Sequence, residues 1–224
     1  YKVSFNKLNY TGILTWRPTS EITTYAKIAS GYVAGGILSG IPYKPETLVS
    51  YEVGLKMQAF NNRLRANVSA YYSDYKDLQT QNFIDGVQFF DNAGKASIKG
   101  VELEMDAMPV RGLTLSGSLG YTKFNYKEFI LVGQDVADVA RTTYSAKWTA
   151  RASAQYDAPE FANGSNVYGR VDARYKGRAP LVSTPIVDLT GAVSPLENYA
   201  FTKAYWLLDG RLGLANFAIG GAKT

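Results

Sequence analysis

The 224-residue chain contains no cysteine and no histidine. The first absence excludes disulfides and thiolate metal sites. The second removes Ser-His and Cys-His nucleophilic pairs and every imidazole metal site. Long apolar runs are missing too: no stretch approaches the ~18 residues that a membrane-spanning helix needs. Mean hydropathy is −0.16, too polar for a bundle of such helices. None of this excludes a membrane, because a β-barrel alternates lipid-facing and lumen-facing residues. Nor is charge of one sign concentrated. The net charge of +5 is modest and its Lys and Arg are scattered, so no nucleic-acid footprint is expected. The opening residues 1–10 lack a signal-peptide pattern, and the abrupt ends suggest a piece of a longer protein. In the tail, Ala222 stands where a phosphate-cradling loop needs Gly before Lys223. The expectation is a protein that is not an enzyme and carries no cofactor.

Aromatic residues and glycine are plentiful instead. There are 17 Tyr, 10 Phe and 21 Gly, a composition that favours strands over helices. Period-2 alternation appears about nine times. In one run Val49, Tyr51, Val53, Leu55 and Met57 alternate with Ser50, Glu52, Gly54 and Lys56. Similar rows cover 64–72, 101–107, 113–121, 148–156 and 167–175, with weaker ones over 10–16, 22–32 and 204–214. The pattern predicts an all-β, antiparallel, up-and-down sheet with one apolar and one polar face.

A soluble β-sandwich would show the same alternation. Three features favour a transmembrane β-barrel. Residues 62–79 run unbroken by Gly or Pro, longer than the ~9–11 residues that cross the hydrocarbon. Trp16, Tyr72, Tyr121, Trp148, Tyr156, Tyr175 and Trp206 sit at segment ends, the girdle position. Small residues such as Ala150, Ala152 and Ala154 stand on the apolar face, where a sandwich core needs bulk. The connections alternate as well. Short ones fall at 17–20, 60–63, 108–112 and 158–165, long ones at 35–47, 80–94, 127–144 and 177–202. Tight periplasmic turns and long outer loops follow this plan. About nine strands is an odd number, whereas bacterial barrels close with even counts. The segment is therefore expected to be part of a larger barrel.

The middle of the chain carries a specific series of motifs. Lys44-Pro45-Glu46 precedes Tyr51-Glu52-Val53-Gly54-Leu55-Lys56. Then come Tyr71-Tyr72-Ser73-Asp74-Tyr75-Lys76-Asp77-Leu78-Gln79, Asn92-Ala93-Gly94-Lys95-Ala96, and Gly100-Val101-Glu102-Leu103-Glu104. In this order and spacing they resemble the C-terminal barrel of TonB-dependent receptors of the iron-complex type, strongly over residues 40–125. The resemblance implies a barrel of about 22 strands around a plug, of which residues 1–224 would be a partial barrel domain without the plug or the final strands. It also implies the bacterial outer membrane as location, with its lipid as surroundings. The partners would be the TonB energy-coupling protein, acting through the plug, and a ferric siderophore or similar scarce solute taken up actively. A passive porin or channel, or a receptor for a vitamin or an oligosaccharide, remains open.

Within such a barrel the polar face would line the lumen. Glu52, Lys56, Arg65, Glu102, Glu104, Asp106, Arg151, Asp172 and Arg211 are the expected lumen-facing charges. Val49, Tyr51, Val53, Leu55, Leu64, Ala66, Val68, Val101, Leu103 and Met105 are expected to face lipid. Glu102, Glu104 and Asp106 form a row at period 2, read as a ladder paired with neighbouring Arg and Lys or as a cation site or plug-docking row. Arg151 and Asp172 are expected to lie opposite each other if the intervening turn centres near 161–162. Ligand contacts are expected from Gln79, Gln81, Phe83, Phe89 and Phe90 in an outer loop, because flat aromatic faces suit a catecholate or ferric complex. Asp74, Asp77 and Gln79 are read as a strand extension that could also meet ligand. No residue is expected to bind a resident metal or cofactor.

Overall fold

The computed structural model describes residues 3–84, 87–131, 133–161, 164–187, 192–216, 218–219 and 222–223, with side chains excluded at 80–84, 87–91, 93, 131, 218–219 and 222–223. Among these residues nine strands follow one another in a single antiparallel path. They are β1 (Thr11–Trp16), β2 (Ile22–Val33), β3 (Glu46–Ala59), β4 (Leu64–Ile84), β5 (Val87–Ala107), β6 (Leu113–Leu131), β7 (Trp148–Asp157), β8 (Asn166–Lys176) and β9 (Tyr205–Ala215). Each pairs with its neighbours in sequence, so the sheet is up-and-down, with β1 and β9 at its edges. The one helical stretch among the described residues is the 3₁₀ turn Pro195–Tyr199.

The turns at one end are tight for stated reasons. Phe60, Asn61 and Asn62 all have positive φ, between 54° and 64°. Asn tolerates that left-handed backbone better than most residues. At the next turn Gly112 has φ +82°, and the Leu113 amide donates to the Val110 carbonyl. At the other end the connections carry structure of their own. Gly36–Leu38 pairs with Ile41–Tyr43, and Gln134–Asp135 folds back on the end of β6.

Two of the expected long connections are shorter than the alternation implies. Residues 80–94 are mostly ladder rather than a long connection, since β4 and β5 pair out to Ile84 and Val87. The cause is a register shift between Tyr75 and Leu78, with Asp77 at φ 53°. A bulge of this kind resets which side chains share a face, so a strict period-2 reading loses the strand there. Likewise β6 takes up residues 127–131 of the expected 127–144 connection. β4, β5 and β6, at 21, 21 and 19 residues, therefore rise above β7 and β8, at 10 and 11.

Large apolar side chains lie uncovered on one face. Val53 is 57% exposed, Val171 57% and Leu212 85%. Tyr51, Val68, Val101, Leu103 and Met105 on the same face are also exposed. Val49, Leu55, Leu64 and Ala66, expected to be as open, are only half-buried. Ala66 sits between Met57 and Met105 in the ladder, and cross-strand neighbours of that size cover a small residue. An uncovered apolar face of this extent marks a surface that meets lipid or another protein. Its aromatic ends pair up: Tyr121 stacks near Trp148 at 4.7 Å between centroids, and Tyr175 near Trp206 at 5.0 Å. Trp148 and Tyr156 bracket Ala150, Ala152 and Ala154 on β7. At ~3.3 Å per residue they stand about 26 Å apart along the strand, close to the ~25 Å apolar band of a membrane barrel.

Candidate functional site

Cross-strand partners share a face, so the ladder decides which side chains stand together. Glu104 pairs with Asn67 and Ser118, Ser118 with Arg151, and Arg151 with Arg174. Asp106 pairs with Arg65, and Asp172 with Asp209. Followed through the sheet, the register brings Glu52, Lys56, Arg65, Glu102, Glu104, Asp106, Arg151, Asp172 and Arg211 onto one polar face. A groove of about 730 Å³ runs along it from Glu104 to Arg211.

One expectation about pairing is corrected. Arg151 lies opposite Arg174, not Asp172. The β7–β8 register is offset by two residues from a turn centred near 161–162, because the Phe161 amide closes a loop on the Ser165 carbonyl. Asp172 instead takes two hydrogen bonds from Arg170 on its own strand, Nε to Oδ2 at 2.8 Å and Nη2 to Oδ1 at 2.7 Å. Arg174 bonds Asp209. The Glu102, Glu104, Asp106 row makes no ion pair within 4.0 Å to a described residue, although Arg65 is the ladder partner of Asp106.

The motifs that looked conspicuous in sequence converge on two local constructions. The first surrounds Tyr25. Its ring lies across Gly54, where a Cβ would come within 2.4 Å of Tyr25 Cε1. Its hydroxyl donates to Glu52 Oε1, Lys27 donates to Glu52 Oε2 at 3.3 Å, and Lys56 Nζ lies 5.8 Å from the ring centroid. Glu52, Gly54 and Lys56 thus each serve one part of the same tyrosine. The arrangement recurs with Tyr71 over Gly100 and Tyr168 over Gly213. Tyr71 reaches across β5 to share a 2.9 Å hydrogen bond with Thr122.

The second construction ties the connection before β3 to the tall hairpin. The Gln79 amide donates to Glu46 Oε2 at 2.9 Å, and Gln79 Nε2 donates to the carbonyls of Ala34 and Lys44. Asn92 Nδ2 donates to the carbonyls of Lys44 and Asp77, and Asn92 Oδ1 accepts from the Lys44 amide at 2.6 Å. Gly94 allows the Glu128 carbonyl to approach, since a Cβ there would lie 2.2 Å from it. Gln79 is therefore engaged with backbone. Asp74 is engaged too, with Lys127. Gln81, Phe83, Phe89 and Phe90 are ladder positions whose side chains lie outside the described ones.

Above the polar face, the step from tall β6 down to short β7 is filled by the described residues of two connections, 136–147 and 177–187 with 192–204. They are stitched together. Arg141 N donates to Ser183 O and Tyr144 N to Pro180 O, and within the second connection Thr202 N donates to Ala179 O. Arg141 also pairs with Glu197 at 2.6 Å. The Ile186 amide and then Arg141 hold the Glu197 carboxyl below its usual range. Between these connections and β6 lies a cavity of about 520 Å³, within the size range of small-ligand pockets. Arg141, Lys147 and Arg178 bring cations to it, whereas Lys123, also in its lining, shares a ladder row with Lys99, Tyr72 and Tyr51 of the apolar face. Phe124, Tyr126, Trp148, Tyr175 and Phe201 bring rings. Arg178 lies 3.7 Å from the Phe201 centroid and Arg141 4.7 Å. The residues of this cavity were not visible in the sequence, because most sit in connections without periodicity.

Comparison with known proteins fits this architecture. Residues 1–221 match the family model described as TonB dependent receptor-like, beta-barrel. Over 178 residues the chain is 26% identical to the pesticin receptor of Yersinia enterocolitica, covering 75% of this chain and 23% of that one. It is 25% identical over 182 residues to the catecholate siderophore receptor Fiu of Escherichia coli K12, covering 80% and 21%. The chain thus spans about a quarter of the length of these receptors. Among solved structures, the ferric yersiniabactin uptake receptor FyuA of Yersinia pestis aligns with a TM-score of 0.68 at 20% identity, over 91% of this chain and 29% of that one. The ferric-catecholate import receptor Fiu of Escherichia coli K12 aligns at 0.65 and 20%, over 91% and 28%. The relatives are transport receptors, and this chain belongs to the TonB-dependent receptor β-barrel family.

Proposed function

We propose that the chain is part of a bacterial outer-membrane receptor that takes up a ferric siderophore actively, with energy from TonB. The observation that carries the reading is the family match over residues 1–221, joined to relatives whose names are those of siderophore receptors. In this reading the nine strands belong to a barrel of about 22, with the apolar face in lipid and the polar face lining the lumen. The tight turns lie on the periplasmic side and the stitched connections outside the cell. Open edges in a bilayer would leave backbone groups unpaired at several kcal/mol each, so β1 and β9 find partners in the rest of the barrel. The charges along the groove then meet water or other parts of the receptor. Solute would bind at the outer end and pass after TonB-driven rearrangement of a plug, while the barrel performs no chemistry.

The test is growth of a strain lacking the full-length gene on single ferric chelates, with and without TonB. The proposal expects growth on at least one chelate to require both proteins. Growth on every iron source without the gene would remove the siderophore assignment. Transport that persists without TonB would favour a passive channel.

A further inference from the structure

Resting on that reading, we infer that Lys99 on β5 and Lys123 on β6 capture the phosphate-monoester headgroup of an outer-leaflet lipid. The two lysines are direct ladder partners on the apolar face. Both are exposed, and neither makes an ion pair with a described residue. Asp74, in the next row outward opposite Ser97, is held by Lys127. Like charges directly opposite each other destabilise a ladder. An anion bound between them removes that repulsion.

Position decides what kind of anion fits. The lysine row continues through Tyr72 and Tyr51. Inward from it, the same two strands present Val101, Leu103 and Met105 beside Tyr121 and Leu119 on one face, and Val101, Leu103, Met105 and Leu119 are exposed. Outward, the next pair is polar, Ser97 with Asn125. Lys99 stands eight residues from Ala107 at the inner end of β5, which is about 26 Å of strand. The pair therefore marks the outer limit of an apolar band of ~25 Å. A soluble anion would leave the apolar lane unused. A lipid lays its acyl chains along the lane and sets its headgroup between the ammonium groups, whose aliphatic stems lie on the apolar surface. Charge then selects the headgroup. A phosphate monoester carries about −1.5 to −2 at pH 7 and matches two ammonium groups, whereas a phosphodiester carries only about −1.

The test uses the purified full-length receptor, freed of lipid in neutral detergent, with bound lipid counted by native mass spectrometry. The probes are phosphatidic acid, phosphatidylglycerol and phosphatidylcholine with the same acyl chains, and glycerol 3-phosphate as a headgroup without chains. Phosphatidic acid is expected to bind, phosphatidylglycerol about tenfold more weakly, and the other two not. Lys99→Gln and Lys123→Gln should each weaken phosphatidic acid binding about tenfold, as loss of one charge-assisted contact does. Lys56→Gln, on the opposite face, should bind phosphatidic acid as the parent does. In lipid-free detergent neither Lys99→Gln nor Lys123→Gln should lower the temperature at which the heat-modifiable band is lost, since each removes one member of a repelling pair. A purely structural lysine would lower it. Equal affinity of the parent for phosphatidic acid and phosphatidylcholine, glycerol 3-phosphate bound as tightly as phosphatidic acid, parent affinity in both Gln variants, or Gln variants that melt early without lipid would each overturn this inference and leave the receptor reading standing. Absence of the full-length protein from outer-membrane fractions would overturn both.

Discussion

The ring of Tyr25 on β2 lies flat across Gly54 on β3, and a Cβ on Gly54 would come within 2.4 Å of Tyr25 Cε1. A glycine in a strand interior normally weakens the strand. Here it leaves the space that lets a tyrosine lie on the polar face and donate a hydrogen bond to Glu52. Gly54→Val should therefore displace the ring and break that hydrogen bond, at a cost of about 1–3 kcal/mol. Tyr25→Phe, which removes only the hydroxyl, should cost nearer to 1 kcal/mol. Thermal melting of the full receptor, read by loss of its heat-modifiable band, checks both. A Gly54→Val receptor as stable as the parent would show that the ring and the glycine are not coupled.

Asn92 and Gln79 should act as anchors rather than ligand contacts. Asn92→Ala removes three hydrogen bonds to the backbone, two of them on Lys44. At about 1 kcal/mol net each, and less where exposed, local stability should fall by roughly 1–2 kcal/mol. Hydrogen exchange should then rise in residues 34–46 and stay unchanged in β7 and β8. If ligand binding fell while exchange at 34–46 stayed slow, Asn92 would be a binding residue instead.

The strands were legible where alternation ran uninterrupted, as in β3, β7 and β8. Legibility was lost where one residue broke the period. Asp77, with its positive φ, hid the outer part of β4. Parity along each strand puts the charged residues on a common face, since every second residue on a strand must share a face. Pairing was less legible: Arg151 and Asp172 depend on a register set by how the Phe161–Ser165 loop closes. The cavity was hidden because Arg141, Arg178 and Phe201 approach one another through cross-connection hydrogen bonds that have no period. The roles of Glu52, Gly54 and Lys56 needed a fourth residue, Tyr25, from another strand.

The assignment of faces makes a direct prediction. Spin labels at Val53 and Glu102 sit on opposite faces of the sheet by register. In the full receptor in lipid, oxygen should relax the Val53 label more strongly, and a water-soluble nickel chelate the Glu102 label. The reverse pattern would invert the sheet.

Acid should loosen the outer connections. The Glu197 carboxyl is held below its usual range by the Ile186 amide and by Arg141. A group whose value is depressed on folding lends stability above its unfolded value, near 4.3, and loses it as the pH falls through the folded one. Hydrogen exchange at 179–202 should therefore be pH-independent, after correction for the intrinsic rate, above about pH 5. Below about pH 4 protection should drop. Glu197→Gln should remove this drop. Protection that fell only on raising the pH would contradict the clamp.

The central claim is active uptake through a TonB-coupled receptor. Accumulation of radioactive iron from a ferric catecholate tests it most directly, in cells carrying the full-length gene, with TonB present, with TonB deleted, and with TonB present but the proton gradient collapsed. Accumulation should occur only in the first condition, while surface binding of the chelate persists in all three. Equal accumulation without TonB or without the gradient would contradict the account.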